Sequence, residues 1–180
     1  MAMAQEKEQR GFDISKEITI NVSAEQLWEL VGPGFENAYI WASNVDHSTG
    51  SGPSEFEGAT CSVRSCDLNA KGFNKIEERL TKYNEKEMNL AYEVTEGMPP
   101  FVTKASNDWK VIPINENQSK LVMNGSFRMK GFMGFIMKGM MKNKISKLLT
   151  VALNDAKVYA ETGIPSLNKQ KRMEKILAAS

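Results

Sequence analysis

Two charged residues in neighbouring strand-like segments could do chemistry. Glu78 lies in the segment KIEERL, where a period of two places it on the face of Ile76 and Leu80. A carboxylate on an apolar face is costly to ionise without a partner, and such a setting is typical of a ligand anchor or an acid/base group. The alternative is a structural ion pair, for which Arg64 in the preceding segment is the candidate partner. The sequence supports both interpretations about equally.

Arg64 and Tyr92 are the other polar candidates for a binding site. Arg64 lies between Val63 and Ser65, so alternation does not settle its direction. An inward guanidinium would bind a carboxylate or a phenolate of a ligand, whereas an outward one, which we favour for a lone strand arginine, only solubilises the strand. Tyr92 shares the apolar face of Leu90, and we expect it to pack there with its hydroxyl group hydrogen-bonded.

Five of the eleven methionines lie between Met129 and Met141, in the run MKGFMGFIMKGMM. Methionine is unbranched and polarisable, so such a run indicates an adaptable apolar wall or gate that faces something of variable shape. Large apolar side chains elsewhere are more often core than binding site, but in a cavity-forming fold the core lining is also the pocket lining. The predicted apolar ligand-binding residues are Trp41, Trp109, Met123, Phe127, Met133, Met137, Met141 and Ile145.

Several kinds of site are excluded or disfavoured by the sequence. His47 is the only histidine and is expected at the surface, which excludes a histidine-based triad and a multi-histidine metal site. The glycine-rich motifs of dinucleotide and nucleoside triphosphate sites are absent, and no basic stripe interleaved with aromatic residues favours nucleic acid. Cys61 and Cys66, five residues apart in one extended segment, are expected to be free thiols. We therefore predict no cofactor, no metal and no nucleic acid.

The composition is typical of one ordinary globular domain. The chain has 180 residues, 41% of them apolar and 25% charged, and its formal net charge of +1 provides no long-range attraction for a polyanion. The first dozen residues lack an apolar signal-peptide core, and no apolar run reaches the ~20 residues of a bilayer span. We therefore expect a cytoplasmic protein with no integral membrane association.

The spacing of apolar residues predicts strands first and one long helix last. Ile14–Val22 alternates like a half-buried strand, and Ser23 with Gln26 can form the capping box of a short helix. A second short helical turn is expected through residues 35–41. From about Phe132 to Thr162 the apolar spacing changes to threes and fours, which is typical of an amphipathic helix. Six further strands are predicted at Val45–Gly50, Thr60–Cys66, Phe73–Tyr83, Met88–Glu96, Val102–Ile114 and Lys120–Lys130.

These elements predict an α+β fold in which seven antiparallel strands curve around one long C-terminal helix, with two short helices after the first strand. Such a sheet leaves a gap beside the helix, which small and flexible residues would turn into a ligand cavity. Residues 1–12 are expected to be disordered, 13–163 to form the ligand-binding domain, and 164–180 to be a basic tail with helical character. The tail is compatible with a docked helix, an oligomer contact or a frayed end. We favour a segment that becomes ordered only by contact with something else.

Six segments, in this order and spacing, resemble a known superfamily. They are ITINVSAEQLWELVG, GATCSVRS, KIEERLTKYNE, LAYEVTEGMPPF, NDWKVIPINENQSKLVMNGSF and the long terminal helix, and together they cover about residues 17–162. The chain resembles the START-related, polyketide cyclase/dehydrase-like (SRPBCC) superfamily, whose helix-grip fold is the architecture predicted above. The resemblance implies an internal apolar cavity between the long helix and the adjacent loops, and no particular catalyst.

Three hypotheses of function follow. The first is a carrier or sensor, monomeric or weakly dimeric, that encloses a small hydrophobic molecule of the lipid, sterol, polyketide or aromatic class. The second is a cyclase or dehydratase that acts on a polyketide-like substrate, in which Glu78 with Arg64 or Tyr92 steers proton transfer. The third is an interaction module whose Phe132–Met141 surface or basic tail docks a protein or a membrane.

Overall fold

A seven-stranded antiparallel sheet forms the body of the protein, as seen in a computed structural model that describes residues 10–70 and 73–179. The strands are β1 (Arg10–Ile20), β2 (Val45–Ser51), β3 (Val63–Ala70), β4 (Phe73–Asn84), β5 (Asn89–Glu96), β6 (Val102–Asn115) and β7 (Gln118–Met129). Strands β2 to β7 pair in sequence order, because short turns connect antiparallel neighbours. Strand β1 joins the far edge by pairing with β7.

Alternation of side chains makes β7 the clearest strand. Its residues are alternately buried and more exposed along most of its length, because successive side chains of a strand point to opposite faces. Leu121, Met123, Phe127 and Met129 face the core. The strand predicted at Lys120–Lys130 is therefore found within two residues of its expected bounds.

The first strand begins earlier than predicted. Residues 1–9 of the segment expected to be disordered lie outside the described residues, but residues 10–12 pair with β7 and correct that expectation. Phe12 is buried, and its ring stacks on that of Phe127 with a centroid separation of 5.0 Å. Phe12 therefore faces the core together with Ile14. At its other end, the strand stops at Ile20 rather than at Val22.

Strand β3 is displaced from its predicted position. The segment Thr60–Cys66 was expected, but the strand runs to Ala70, through residues whose composition is typical of a turn. Leu68 packs against the core, and the Asn69 side-chain amide donates to the Ser43 carbonyl at 2.7 Å. These tertiary contacts extend the strand where local preference favours a turn.

Two short helices close one end of the sheet. Helix α1 (Ala24–Val31) begins with the predicted capping box: Gln26 N donates to Ser23 Oγ at 3.2 Å, and Ser23 N donates to Gln26 Oε1 at 3.2 Å. A 3₁₀ helix follows at Pro33–Ile40 and buries Phe35. Trp41, at its end, is also buried.

The long helix α2 (Gly131–Thr162) covers the concave face of the sheet. Its buried residues recur every three or four positions, the spacing of one helical face. Gly163, with a left-handed φ of 70°, ends the helix. The predicted α+β helix-grip fold is confirmed. The buried face consists mainly of Met141, Ile145, Leu149, Ala152, Leu153 and Ala156.

The C-terminal tail forms a docked helix, α3 (Leu167–Ala178). Ser166 caps it, accepting from Lys169 N at 3.2 Å, and the same hydroxyl donates to Asp155 Oδ1 at 2.5 Å. Lys169 is 1% exposed, and its ammonium group donates to the Val45 carbonyl at 2.7 Å. The partner that orders the tail is thus the rest of the chain. None of the helices in the described ranges combines the length and the apolarity of a membrane span.

Candidate functional site

An internal cavity of about 130 Å³ lies between the sheet and α2. Strands β2 to β7, the end of the 3₁₀ helix and the middle of α2 contribute its walls, so it lies where the predicted helix-grip arrangement places it. Most of its surface is apolar. Seven of the residues predicted to bind a ligand line it, namely Trp41, Arg64, Glu78, Tyr92, Trp109, Phe127 and Ile145.

The methionine wall is not part of this cavity. Met133 is 52% exposed and Met137 half-buried, whereas Met123 and Met141 are buried in the core. None of the four is among the lining residues. The prediction was wrong because the cavity lies further along α2, from Ile145 onward, while the methionine run falls in the turns before it.

Alanine, amide and further apolar side chains that were not among the predicted site residues complete the lining. Ala152 lies two turns after Ile145 on the same face of α2, so the helical period could have identified it. Ala38 and Ala42 leave room near Trp41 because they carry only a methyl group. Other lining residues that the sequence analysis missed include Asn44, Asn107, Met98, Leu148 and Leu149.

A buried ion pair forms the polar end of the cavity. Arg64 and Glu78 are register partners on β3 and β4, and Arg64 Nε and Nη2 lie 2.7 Å and 2.6 Å from Glu78 Oε2. The two side chains are 5% and 6% exposed. Arg64 Nη1 donates to the Phe35 carbonyl at 2.7 Å. The guanidinium carbon of Arg64 also lies 3.8 Å from the centroid of the Phe35 ring.

The outward direction favoured for Arg64 was wrong, and the inward direction of Glu78 was right. Residues directly opposite each other in an antiparallel pair share a face. Because Arg64 pairs with Glu78, its side chain must follow that carboxylate into the core. Alternation within one segment gives relative faces only, so the register across strands was needed to decide Arg64.

Burial sets the protonation of the groups around the ion pair. Burial is the largest single influence on Arg64 and disfavours its charged form, but Glu78, Cys66 and Tyr92 together outweigh burial and raise the pKa of the guanidinium above its ordinary value. Burial raises the pKa of the Cys66 thiol to about 12, and that thiol donates to Glu78 Oε2 at 3.6 Å. Burial, reinforced by the Glu78 charge, also raises the pKa of Tyr92. At neutral pH the site therefore holds one ion pair, a neutral thiol and a neutral phenol.

Four residues that line the cavity each carry a buried polar atom with no hydrogen-bond partner among the described residues. These atoms are two indole donors, Nε1 of Trp41 and of Trp109, and two amide acceptors, Oδ1 of Asn44 and of Asn107. Buried polar groups are normally paired, and an unpaired one costs about 1–3 kcal/mol. The Asn107 side chain does hydrogen-bond Tyr92, as expected for a buried tyrosine.

Of the remaining polar candidates, His47 and Cys61 do not line the cavity, whereas Cys66 does. His47 is exposed on β2, where its ring lies 5.8 Å from that of Tyr39. Cys61 and Cys66 are both buried free thiols, as predicted. Across residues 10–70 and 73–179, no three His, Cys, Asp or Glu side chains are grouped so that they could hold a metal ion.

Comparison with known families agrees with this architecture. The sequence model of the family described as polyketide cyclase / dehydrase and lipid transport matches residues 11–161. The chain belongs to this family. The predicted superfamily resemblance is thereby confirmed, and the family supports ligand binding or cyclase function as the general class of activity. The match ends within α2, so α3 lies beyond it. A search of curated proteins finds no match.

Several solved structures share the fold of this chain although their sequence identity to it is low. The Zhui aromatase/cyclase from Streptomyces sp. R1128 is 16% identical, with a TM-score of 0.69 and coverage of 84% of this chain and 94% of that one. A norcoclaurine synthase mutant from Thalictrum flavum is 12% identical, with a TM-score of 0.68 and coverage of 84% and 95%. The protein XoxI from Bacillus cereus is 23% identical, with a TM-score of 0.60 and coverage of 79% and 93%. At such identities the likeness shows the fold alone.

Proposed function

We propose that this protein binds a small aromatic molecule of the phenol class in the cavity between the sheet and α2, as a carrier or sensor. The observation that supports this best is the group of unpartnered polar atoms carried by residues that line a mainly apolar cavity. Ligand sites of this kind combine an apolar wall with a few polar groups that orient the ligand. A ligand with one or two oxygen atoms would satisfy groups that the described residues leave unpaired.

The volume of the cavity limits the size of the ligand. At about 130 Å³ it is smaller than the pockets of roughly 300–1,000 Å³ that enclose drug-sized ligands. Its volume is similar to that of an engineered apolar cavity of about 150 Å³ that binds benzene. A single ring fits this space, whereas a sterol or a polyketide of several rings requires the wall to open.

The chemistry of the lining favours a hydroxylated ring. The indole groups of Trp41 and Trp109 can donate to a ligand oxygen, and the Asn44 amide oxygen can accept from a hydroxyl group. Glu78 Oε1 takes part in none of the hydrogen bonds found among the described residues, and it is a stronger acceptor because it is charged. A norcoclaurine synthase from Thalictrum flavum with this fold was solved in complex with dopamine and hydroxybenzaldehyde, each of which has one aromatic ring.

Tryptophan fluorescence tests the proposal. Trp41 and Trp109 line the cavity, whereas Trp28 is buried elsewhere, against Tyr83. Titration with p-cresol is expected to change the emission saturably in the wild type and in Trp28→Phe. The change should shrink in Trp41→Phe and in Trp109→Phe, since each removes one reporter and one donor. An unchanged emission spectrum in the wild type, together with no binding by calorimetry, would reject the proposal.

A second candidate function is a cyclase or dehydratase. The observation that favours it is Glu78, whose second carboxylate oxygen is available in the cavity while Arg64 holds the first. Such a carboxylate can act as a general base, and the neutral Tyr92 phenol can act as an acid. Catalysis by this pair requires substrate atoms within hydrogen-bond reach of Glu78 Oε1.

Product analysis separates this candidate from a carrier. A short β-hydroxyacyl thioester would be incubated with the wild type, with Glu78→Gln and with Tyr92→Phe, and its mass followed. Enzymatic dehydration predicts a product lighter by one water that neither variant forms. A carrier leaves the thioester unchanged, and equal product from wild type and Glu78→Gln would exclude Glu78 as the base.

A further inference from the structure

The first turns of α2 carry apolar side chains that the described part of the chain leaves uncovered. Phe132 is 76% exposed, and Met133, Ile136 and Met140 are each more than half exposed. Single exposed apolar residues are ordinary, but a contiguous group of them marks an interaction site. These four residues are called the α2 patch below.

The α2 patch faces away from the sheet. Its residues follow the three- and four-residue rows of one helical face, whereas Gly134, Met141 and Ile145 are buried on the other. Close packing fixes this rotation, because a Cβ atom on Gly134 would lie only 2.9 Å from Met129 Cβ. Rotation of the helix about its axis therefore cannot bury the patch.

Positive charge accompanies the α2 patch. The chain has no Asp or Glu between Glu116 and Asp155, although its overall formal charge is only +1. The positive charge is thus concentrated locally, which is typical of helices that bind anionic surfaces. The exposed lysines on and around these turns are Lys130, Lys138, Lys142 and Lys147.

We propose that the α2 patch docks this protein on an anionic lipid bilayer. Apolar side chains of an interfacial helix enter the boundary between headgroups and acyl chains, and flanking lysines contact the anionic headgroups. Lysine suits this place because its stem lies along apolar surface while its charge stays in water. This docking does not depend on what the internal cavity holds.

Charge and shape favour a bilayer over a protein as the occupant. A second copy of the chain seated on the α2 patch would bring two sets of lysines together, and like charges oppose such a contact. The patch is also a convex helix face made of flexible Met and Phe side chains. A fluid bilayer accepts such a face without a groove of complementary shape.

Vesicle sedimentation tests the apolar contribution. The probes are vesicles of phosphatidylcholine alone and of phosphatidylcholine with about one-third phosphatidylserine. The full chain is expected to bind only the anionic vesicles. The variant Phe132→Ser/Ile136→Ser/Met140→Ser should bind them at least about tenfold more weakly. The matched control, Ile112→Ser/Ile114→Ser, changes exposed apolar residues on β6 and should bind like the wild type.

The charge contribution has its own matched pair of variants. Lys138→Gln/Lys142→Gln should reduce binding to the anionic vesicles by about tenfold, and high salt should weaken the wild type in the same way. Lys171→Gln/Lys175→Gln changes exposed lysines on α3 and should have no effect. Equal binding to neutral vesicles, or equal loss in both lysine variants, would overturn the proposal. The proposal would also be overturned if the wild type bound no vesicles and instead formed a dimer that the serine variant abolished.

Fluorescence quenching locates the inserted face. Phe132→Trp places a reporter in the α2 patch, and Leu177→Trp places one at a residue of α3 with the same exposed fraction, 76%. Lipids with brominated acyl chains are expected to quench the first reporter and not the second. The native tryptophans are buried in the core and provide a constant background. Quenching of both reporters, or of neither, would contradict insertion through the patch.

Discussion

At the scale of single residues, the Arg64–Glu78 pair is the main polar feature of the core. Two unlike charges that leave water together lose hydration, which their attraction and added hydrogen bonds must offset. Here the Phe35 carbonyl and the Cys66 thiol supply those added bonds. The pair therefore stabilises the fold only while both partners are present.

Loss of one partner should cost much more than loss of both. Arg64→Met leaves the Glu78 carboxylate buried without a counter-charge, and we expect a loss of about 3–5 kcal/mol in the free energy of unfolding. The double variant Arg64→Met/Glu78→Leu should recover most of this loss. Urea unfolding measures the free energy of unfolding of the single and the double variant. The control Arg79→Met removes an exposed pair with Glu55 and should cost less than about 1 kcal/mol.

A cost below about 1 kcal/mol for Arg64→Met would contradict the buried pair. A double variant no more stable than the single one would show that the charges are not coupled.

Much of this chemistry could be predicted from the sequence, but not all of it. Alternation with Ile76 and Leu80 placed Glu78 inside correctly. Arg64 could not be placed, because its neighbours Val63 and Ser65 gave no clear apolar face. Its direction depends on the register between β3 and β4, which is a tertiary property.

At the scale of elements, α3 and the C-terminal half of α2 together bind the segment that leads into the cavity wall. Arg172 Nε donates to Asp46 Oδ1 at 2.7 Å, and Ser43 N donates to Asp155 Oδ2 at 2.8 Å. Trp41, Ala42, Asn44 and Val45 of this segment line the cavity. The tail sequence predicted a basic helix but not its partners, since these contacts span more than a hundred residues of chain.

Lys169 should be the most sensitive lysine of α3. Lys169→Met keeps most of the side chain but leaves the buried Val45 carbonyl without its donor, so we expect a loss of about 1–3 kcal/mol. Lys171→Met, at an exposed position of the same helix, should change stability by less than about 0.5 kcal/mol. Thermal and urea unfolding compare the two variants. Equal effects would refute the buried contact.

The Asp46–Arg172 pair should make the docking of α3 sensitive to acid. The hydrogen bond from Arg172 lowers the pKa of Asp46 below its ordinary value of 3.8 in the folded chain. The pair therefore contributes stability above that value, and the contribution is lost as the pH falls through the lower, folded pKa. Asp46→Asn should lower Tm at neutral pH, and its difference from wild type should shrink in acid.

The exposed Asp67 provides the comparison for this pH series. Asp67→Asn should follow the wild-type Tm at each pH. A constant gap between Asp46→Asn and wild type from neutral pH to strong acid would contradict the assigned role of the Asp46 carboxylate.

At the scale of the whole molecule, a curved sheet around one helix was predictable and the cavity it encloses was not. Periods of two and of three to four residues defined the layers. The cavity volume depends on how far α2 stands from the sheet and on which small residues face the gap. Ala38 and Ala152 face this gap, and the helical spacing that places Ala152 on the inner face of α2 does not give the width of the gap.

The position of the methionine run also required the whole molecule. Its residues were expected to form the ligand wall, but the sequence could not show where the cavity lies along α2. In the fold Met133 and Met140 lie at the exposed start of that helix, while Met129 and Met141, at the two ends of the run, are buried. The soft apolar surface thus faces outward and belongs to the proposed membrane contact rather than to the cavity.

Calorimetric titration of p-cresol into a cavity-filled variant is the sharpest test of phenol binding between the sheet and α2. Ala152→Leu places a larger side chain in the cavity, whereas Ala160→Leu adds the same atoms to α2 at a residue that is not part of the lining. We predict saturable one-to-one binding to wild type and Ala160→Leu, and a loss of at least about tenfold in affinity for Ala152→Leu. Equal binding by all three proteins, or none by the wild type, would contradict this prediction.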